Sequence, residues 1–349
     1  MISLLVVNYR SALLAIRAIT SARAASTTTG TKLLQVVVVD NSCDAAEAGA
    51  LRPHADVLIV SDRNRGYAGA INDGRRACDG DTIVITNPDV TFMPGAIDTL
   101  TAVLDERTAV AGPSLFWDDE CRWFLPPAEL HTGRDVLAAA LASRSRRLSE
   151  LRDRRRIRQR IAFWSLRETT EVNAISGAVM AVNAAAFDAV GGFDERFFLY
   201  FEENDFLRRV SENRWRIVYV PRARCRHLYN QSAGLSSEAP ALYASSERRY
   251  LEKWNGPFVA MVLERLRRAP IVPPARDHVG PIELPDCDVV VEASPLPSFD
   301  TAAGHFPDAS SVDLPPEVRR AYRGEAVYLR VVRRDTAQVL GTYRRRAGD

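Results

Sequence analysis

The sequence predicts an α/β protein: a mostly parallel central sheet flanked by helices, with a small β appendage at the C-terminal end. Three observations point there. Short β-branched runs recur in the first third, segments with helical spacing separate them, and beyond residue 268 Pro, Asp and Ser accumulate before two further β-like runs. Ile2–Val7, Leu34–Val39, Val57–Val60 and Thr82–Thr86 are apolar at successive positions, as strands covered on both faces are. Ala12–Ala25 and Tyr67–Cys78 supply the helical crossovers that parallel strands require, and Pro94 opens another helix expected to run to Glu106.

In open sheets of this kind ligands sit beyond the carboxyl ends of the strands. The residues there are polar: Asn8-Tyr9, Asp40-Asn41-Ser42, Asp62-Arg-Asn-Arg-Gly66 and Asn87-Pro88-Asp89. Downstream, Val172–Val182 is expected as a strand, Phe187–Phe198 as a loop around Gly191-Gly192, Glu203–Asn213 as a helix and Ile217–Val220 as a strand. The organisation expected is one domain over residues 1–268, carrying a basic variable insertion at about 140–168, then a Pro-rich linker and small β-rich module over 269–349. Residues 269–316 are expected to be irregular or edge structure. Ala326–Val332 and Gln338–Tyr343 are expected to pair as a hairpin.

The 349 residues are 46% hydrophobic and 26% charged, which suits a globular protein with a substantial core. The net charge of +2 implies no whole-protein attraction to nucleic acid: arginines crowd Arg144 to Arg167 and the rest of the chain is roughly balanced. Five scattered cysteines fit a reducing, cytoplasmic setting. No apolar run approaches the roughly 20 residues that cross a bilayer, so membrane contact is expected only peripherally, at the inner face. Arg144–Trp164 interleaves arginines with Leu148, Leu151, Ile157, Ile161 and Trp164. It reads either as a solvated helix covering the pocket or as a surface that meets anionic lipid. For the C-terminal module, homodimerisation and a simple covering role are both open.

Several residues have the chemistry of a site. Asp89 is delivered by a buried strand to the sheet edge, where a carboxylate either ends the strand in an Asx-Pro turn or holds Mg²⁺ or Mn²⁺ against a diphosphate. Glu202, Glu203 and Asp205 open a helix. Capping accounts for acids there, yet three exceed what capping needs, and one beside an apolar wall has the character of a general base. His227 becomes a metal ligand only where the fold brings it to Asp89. Gly66-Tyr-Ala-Gly69 matches no dinucleotide or Walker pattern; a phosphate at the helix start and close packing on the sheet both remain open for it.

Taken in order, these segments resemble glycosyltransferase family 2, in its bacterial rhamnosyltransferase-like branch. The resemblance runs through Val6-Val-Asn-Tyr9, Val36-Val-Val-Val-Asp-Asn-Ser42, Asn64-Arg-Gly-Tyr-Ala-Gly-Ala-Ile-Asn72, Asn87-Pro-Asp-Val90, Ser176-Gly-Ala178, Gly191-Gly-Phe-Asp-Glu195, Phe201–Asp205 and His227, over residues 1 to about 255. It implies the Rossmann-like GT-A fold and an inverting transfer from a nucleotide diphosphate sugar to a hydroxyl acceptor. On the donor side it implies Asp40 at the base, with Asn8, Tyr9, Asn64, Arg65, Gly66, Asn87 and Asp89 around the nucleotide and diphosphate. Asn87-Pro-Asp89 stands where the wider family has Asp-x-Asp, so Asp89 is implied as the metal-contacting carboxylate and His227 as a further ligand. Glu202-Glu-Asn-Asp205 stands where the branch has Glu-Asp-x-Asp. The implied base is therefore Glu203, one methylene longer than aspartate, with Asp205 as the alternative. Gly191, Gly192, Phe193 and Asp194 are implied on the acceptor side. A dTDP-linked deoxysugar such as rhamnose is the donor the branch suggests; the acceptor stays open among polysaccharide, lipid-linked glycan and small metabolite. Two other readings use the same sheet: a nucleotidyltransferase that builds sugar nucleotides, and a binding regulator without catalysis. The first lacks its phosphate loop at Asn8-Tyr-Arg-Ser11.

Overall fold

A computed structural model describes residues 1–26, 34–228 and 239–346. Contacts group the chain into two compact units that interleave in sequence. The first comprises residues 1–114, 128–130 and 167–256; the second comprises 115–127, 131–166 and 257–349. The arginine-rich stretch expected as an insertion near 140–168 therefore groups largely with the C-terminal residues.

In the first unit the sheet runs Val179–Asn183, Thr82–Thr86, Ile2–Asn8, Leu34–Asp40, Val57–Val60. The last four strands are parallel, and Val179–Asn183 joins antiparallel beside Thr82–Thr86. Every residue of Ile2–Asn8 is buried, as a strand covered on both faces requires. Helix Gly66–Arg75 packs against it through small residues: a Cβ on Gly74 would stand 2.2 Å from Leu5 Cδ1.

Several expected boundaries move. The helix after Pro94 spans only Ala96–Thr101, and Tyr67–Cys78 contracts to Gly66–Arg75. Val172–Val182 is not one strand: Thr170–Glu171 pairs elsewhere and a turn at Gly177-Ala178 precedes Val179–Asn183, where the Ala178 amide donates to Ser176 Oγ (3.2 Å) and the Asn87 amide donates to Ala178 O (2.9 Å). Phe187–Phe198 opens within a helix, Ala184–Ala189, before Gly191 (φ 79°) and Gly192 (φ 66°) turn the chain in the left-handed region. Ile217–Val220 is the start of a longer strand, Arg216–His227, which pairs antiparallel with Val90–Phe92 and Thr170–Glu171.

The second unit has strands ordered Arg276–Asp277, Gln338–Arg346, Ala326–Arg333, Val289–Ser294, Ala303–His305, Trp123–Phe124. The expected hairpin forms, Ala326–Arg333 against Gln338–Arg346. The expectation for 269–316 is corrected at Val289–Ser294, a completely buried strand paired on both sides. Its Val289-Val-Val291 run outweighs the surrounding prolines. Helix Arg146–Trp164 buries Ile157, Ile161 and Trp164 against Val290, Val332 and Ala337. On the same helix Arg160 lies 2.7 Å from the fully buried Glu292, which Arg330 also engages.

Candidate active site

All the expected site residues lie in the first unit. Parallel register sets Asn8 beside Asp40 where their strands end. Asn8 Nδ2 donates to Asp40 Oδ1 (2.9 Å), Ser42 Oγ (3.1 Å) and Glu47 Oε2 (2.9 Å). Its Oδ1 accepts from the Ser11 amide and hydroxyl, while Glu47 also accepts from the Ala12 amide that opens helix Ala12–Ala25. Asn8 thus acts as a bracket between loops. Asp40 Oδ2 is buried and has no hydrogen-bond partner among the described residues. Such an oxygen costs about 1–3 kcal/mol, which a ligand N–H recovers. Tyr9, in contrast, is 44% exposed, with the Arg10 guanidinium 5.4 Å from its ring centroid.

The next loop is pinned at Gly66. Asn64 Oδ1 accepts from the Gly66 amide (2.9 Å), Asn41 Nδ2 donates to Gly66 O (2.9 Å), and the Tyr67 amide donates to Phe198 O (2.7 Å). Gly66 has φ +73°, and a Cβ there would stand 2.4 Å from Phe198 O. Only glycine fits both demands. Arg65 is held by Asp73 (3.1 Å) and Glu195 (3.0 Å).

Asp89 and His227 meet. Antiparallel pairing sets His227 opposite Val90, and His227 Nε2 lies 3.2 Å from Asp89 Oδ1, both side chains nearly buried. Asn87 precedes them, half-buried, its amide bonded to Ala178 O. Among the described residues no group of three or more His, Cys, Asp and Glu gathers as a metal site. One carboxylate and one imidazole nonetheless suit Mg²⁺ or Mn²⁺, which keep waters and take substrate phosphate oxygens as remaining ligands.

The acids at 202–205 divide by environment. Tyr200 and Phe201 both adopt left-handed backbone (φ 70° and 68°), which non-glycine residues hold only under constraint from their surroundings. Phe201 packs with Phe197 and Tyr250, and the bend starts helix Glu202–Glu212. Glu202 is buried, one carboxylate oxygen lacks a hydrogen-bond partner among the described residues, and its pKa is raised well above the usual range by burial and then by the charge of Glu203. Burial also raises Glu203, which packs over Gly177 (Cγ 3.0 Å from where a Cβ would be) and takes a bond from Asn204. Asp205 is different. It is fully buried and bound by Arg209 (2.9 Å), Lys253 (2.6 Å) and Trp254 Nε1 (3.0 Å). Its two oxygens take three donors, where Glu203 takes one from Asn204.

Tyr67 links the two halves and was not among the expected site residues. Its hydroxyl is buried without a hydrogen-bond partner among the described residues. Its pKa is pushed far up, first by burial and then by the charges of Glu202, Glu203 and Asp89. One phenol therefore feels the acids of both the 202–203 pair and the Asp89–His227 pair. The acceptor-side loop is fastened to helix Gly66–Arg75: Asn72 exchanges bonds with the backbone of buried Phe193 (both 2.9 Å), and a Cβ on Gly192 would meet Asn72 Oδ1 at 2.6 Å. Asp194 pairs with Arg196 and Lys253, which hold its carboxyl far below the usual range. Glu47 and Lys253 complete these networks with no sequence signal of their own. Tyr67 at least lies within the motif Asn64–Asn72.

The family described as glycosyltransferase-like family 2 matches residues 1–250, and the chain belongs to it. The N-acetylglucosaminyl-diphospho-decaprenol L-rhamnosyltransferases of Mycobacterium tuberculosis, strains CDC 1551 and H37Rv, are each 27% identical over 249 residues, covering 64% of this chain and 78% of theirs. Among solved structures, a mannosyltransferase from Pyrobaculum calidifontis in complex with GDP-Man and Mn²⁺ aligns at TM-score 0.45 and 14% identity, over 76% of this chain and 73% of that one. S. aureus TarS aligns at TM-score 0.41 and 14% identity, over 72% of each. The protein is a glycosyltransferase with the GT-A fold. No helix among the described residues is long and apolar enough to cross a membrane.

Proposed function

We propose that the protein transfers a sugar from a nucleotide diphosphate donor to a hydroxyl acceptor by a single displacement that inverts the anomeric centre. The observation that carries the reading is the meeting of Asp89 and His227 at 3.2 Å, two residues far apart in sequence that antiparallel pairing of their strands brings together. Asp40 Oδ2 accepts from a pyrimidine ring N–H, Asn8 keeps that carboxylate in place, and Tyr9 lies over the nucleoside. Mg²⁺ or Mn²⁺ held by Asp89 and His227 would offset the charge that builds on the departing diphosphate.

Glu203 takes the proton from the acceptor hydroxyl. The freed oxygen bonds to the anomeric carbon as the bond to the diphosphate breaks on the opposite face, and the nucleoside diphosphate leaves with the electron pair. A base raised above the ordinary carboxylate range by burial holds an abstracted proton better than an exposed glutamate does. The relatives' names favour rhamnose as the sugar transferred, and a dTDP-linked deoxyhexose is the donor we propose. Glu203→Gln is expected to lower kcat by roughly 10²–10⁴-fold while calorimetry shows unchanged donor affinity. Near-normal turnover in that variant removes Glu203 from the base role.

A further inference from the structure

Within the second unit helix Gly133–Ala142 packs against both Arg146–Trp164 and Pro257–Leu266. Helix Pro257–Leu266 buries Ala260 and Leu263 and exposes Phe258, Val259 and Val262, with Phe258 71% exposed. Helix Gly133–Ala142 follows the same pattern: Val136 and Ala140 are buried, while Leu137 and Leu141, one turn apart, face water. Leu148 and Leu151 extend the exposure onto the opening turns of Arg146–Trp164. Seven large apolar side chains are thus exposed on three helices of which the first packs against both others.

The accompanying charge is one-sided. Arg144, Arg146, Arg147, Arg154 and Arg155 are exposed beside Leu148 and Leu151, and Arg265, Arg267 and Arg268 follow Val262. The exposed acids on the three helices are Asp135, Glu150 and Glu264; Asp135 serves the Thr132 capping box and Glu150 pairs with Arg146. Nucleic acid would satisfy the arginines but leave Phe258 and Val262 in water, whereas hydrocarbon beneath anionic headgroups accommodates both kinds of side chain.

We infer that this arginine-rimmed apolar face docks the protein on an anionic lipid bilayer, with Phe258, Val259 and Val262 at the acyl boundary and the arginines among the headgroups. The inference narrows the role of Arg146–Trp164. Its second half is spent inside the unit, Ile157, Ile161 and Trp164 in the core and Arg156 and Arg160 on Asp300 and Glu292. The docking face stands independently of the catalytic assignment, since its test reads binding alone.

Flotation of the full chain with vesicles of phosphatidylcholine, and with vesicles that also contain phosphatidylglycerol, provides that test. The protein is expected to float with the anionic vesicles and to be released at high salt. Phe258→Ser with Val262→Ser is expected to reduce partitioning roughly tenfold, and Arg265→Gln with Arg268→Gln roughly thirtyfold. All these side chains are exposed, so thermal unfolding should match that of the unaltered protein. Equal binding to neutral vesicles, no flotation, or variants that float unchanged would overturn the inference. So would a lipid-free dimer that Phe258→Ser dissociates, because a second copy would then own this face.

Discussion

Three acids within four residues sit in three different environments, set by their neighbours. Glu202 sits buried with an unmatched oxygen, Glu203 rests half-buried on Gly177, and Asp205 is consumed by Arg209, Lys253 and Trp254. Because burial raises the Glu202 pKa above its ordinary 4.5 in the folded state, folding favours the protonated acid. The stability this contributes is present below the ordinary value and is lost as pH climbs through the raised one. Glu202→Gln keeps the shape without the ionisable proton, so its melting temperature should overtake that of the unaltered protein progressively as pH rises. Differential scanning fluorimetry across pH checks this; a constant offset would rule it out. Gly66→Ala belongs to the same scale. It places a Cβ 2.4 Å from Phe198 O at a left-handed residue, and backbone strain of this kind costs about 1–3 kcal/mol. Chemical denaturation should register that loss, together with weaker donor binding, since Tyr67 and Asn64 hang on the same turn.

Elements explain how distant residues arrive together. His227 reaches Asp89 because Arg216–His227 continues unbroken past Val220 and pairs with Val90–Phe92. Pro221 and the alternating arginines that follow hide that continuation in the sequence, since they suit an edge strand as well as a loop. Helix Glu202–Glu212 is legible from its amphipathic pattern, but its entry through left-handed Tyr200 and Phe201 is not, because aromatic residues do not announce positive φ. That helix is anchored by Asp205. Asp205→Asn leaves Arg209 partly buried without its carboxylate and Lys253 with Asp194 alone, and is expected to cost about 3 kcal/mol. Its kcat per folded molecule should stay far above that of Glu203→Gln. A loss of turnover as large as that of Glu203→Gln with no loss of stability would instead return Asp205 to the chemistry.

At the scale of the whole molecule, the interleaving of the two units makes the C-terminal residues part of a core rather than a tail. Cutting the chain after residue 268 would strip Val290 and Val332 from Ile157, Ile161 and Trp164 and leave Arg160 without Glu292. The shortened protein is expected to bind hydrophobic dye and to lose the cooperative unfolding of its second unit; a clean, dye-silent transition would show that 131–166 can pack alone. What the sequence determined by itself was local in nature: the parallel strands, their polar carboxyl-end loops and the family to which residues 1–250 belong. Apolar runs and turn residues encode these through near neighbours, so a single reading of the chain recovers them. Tertiary structure alone decided that Asp205 is an anchor, that Tyr67 shares the field of both acidic groups and that the arginine-rich helix is half core. Each of those outcomes depends on partners brought from elsewhere in the chain, and burial and charge are set only once those partners are in place.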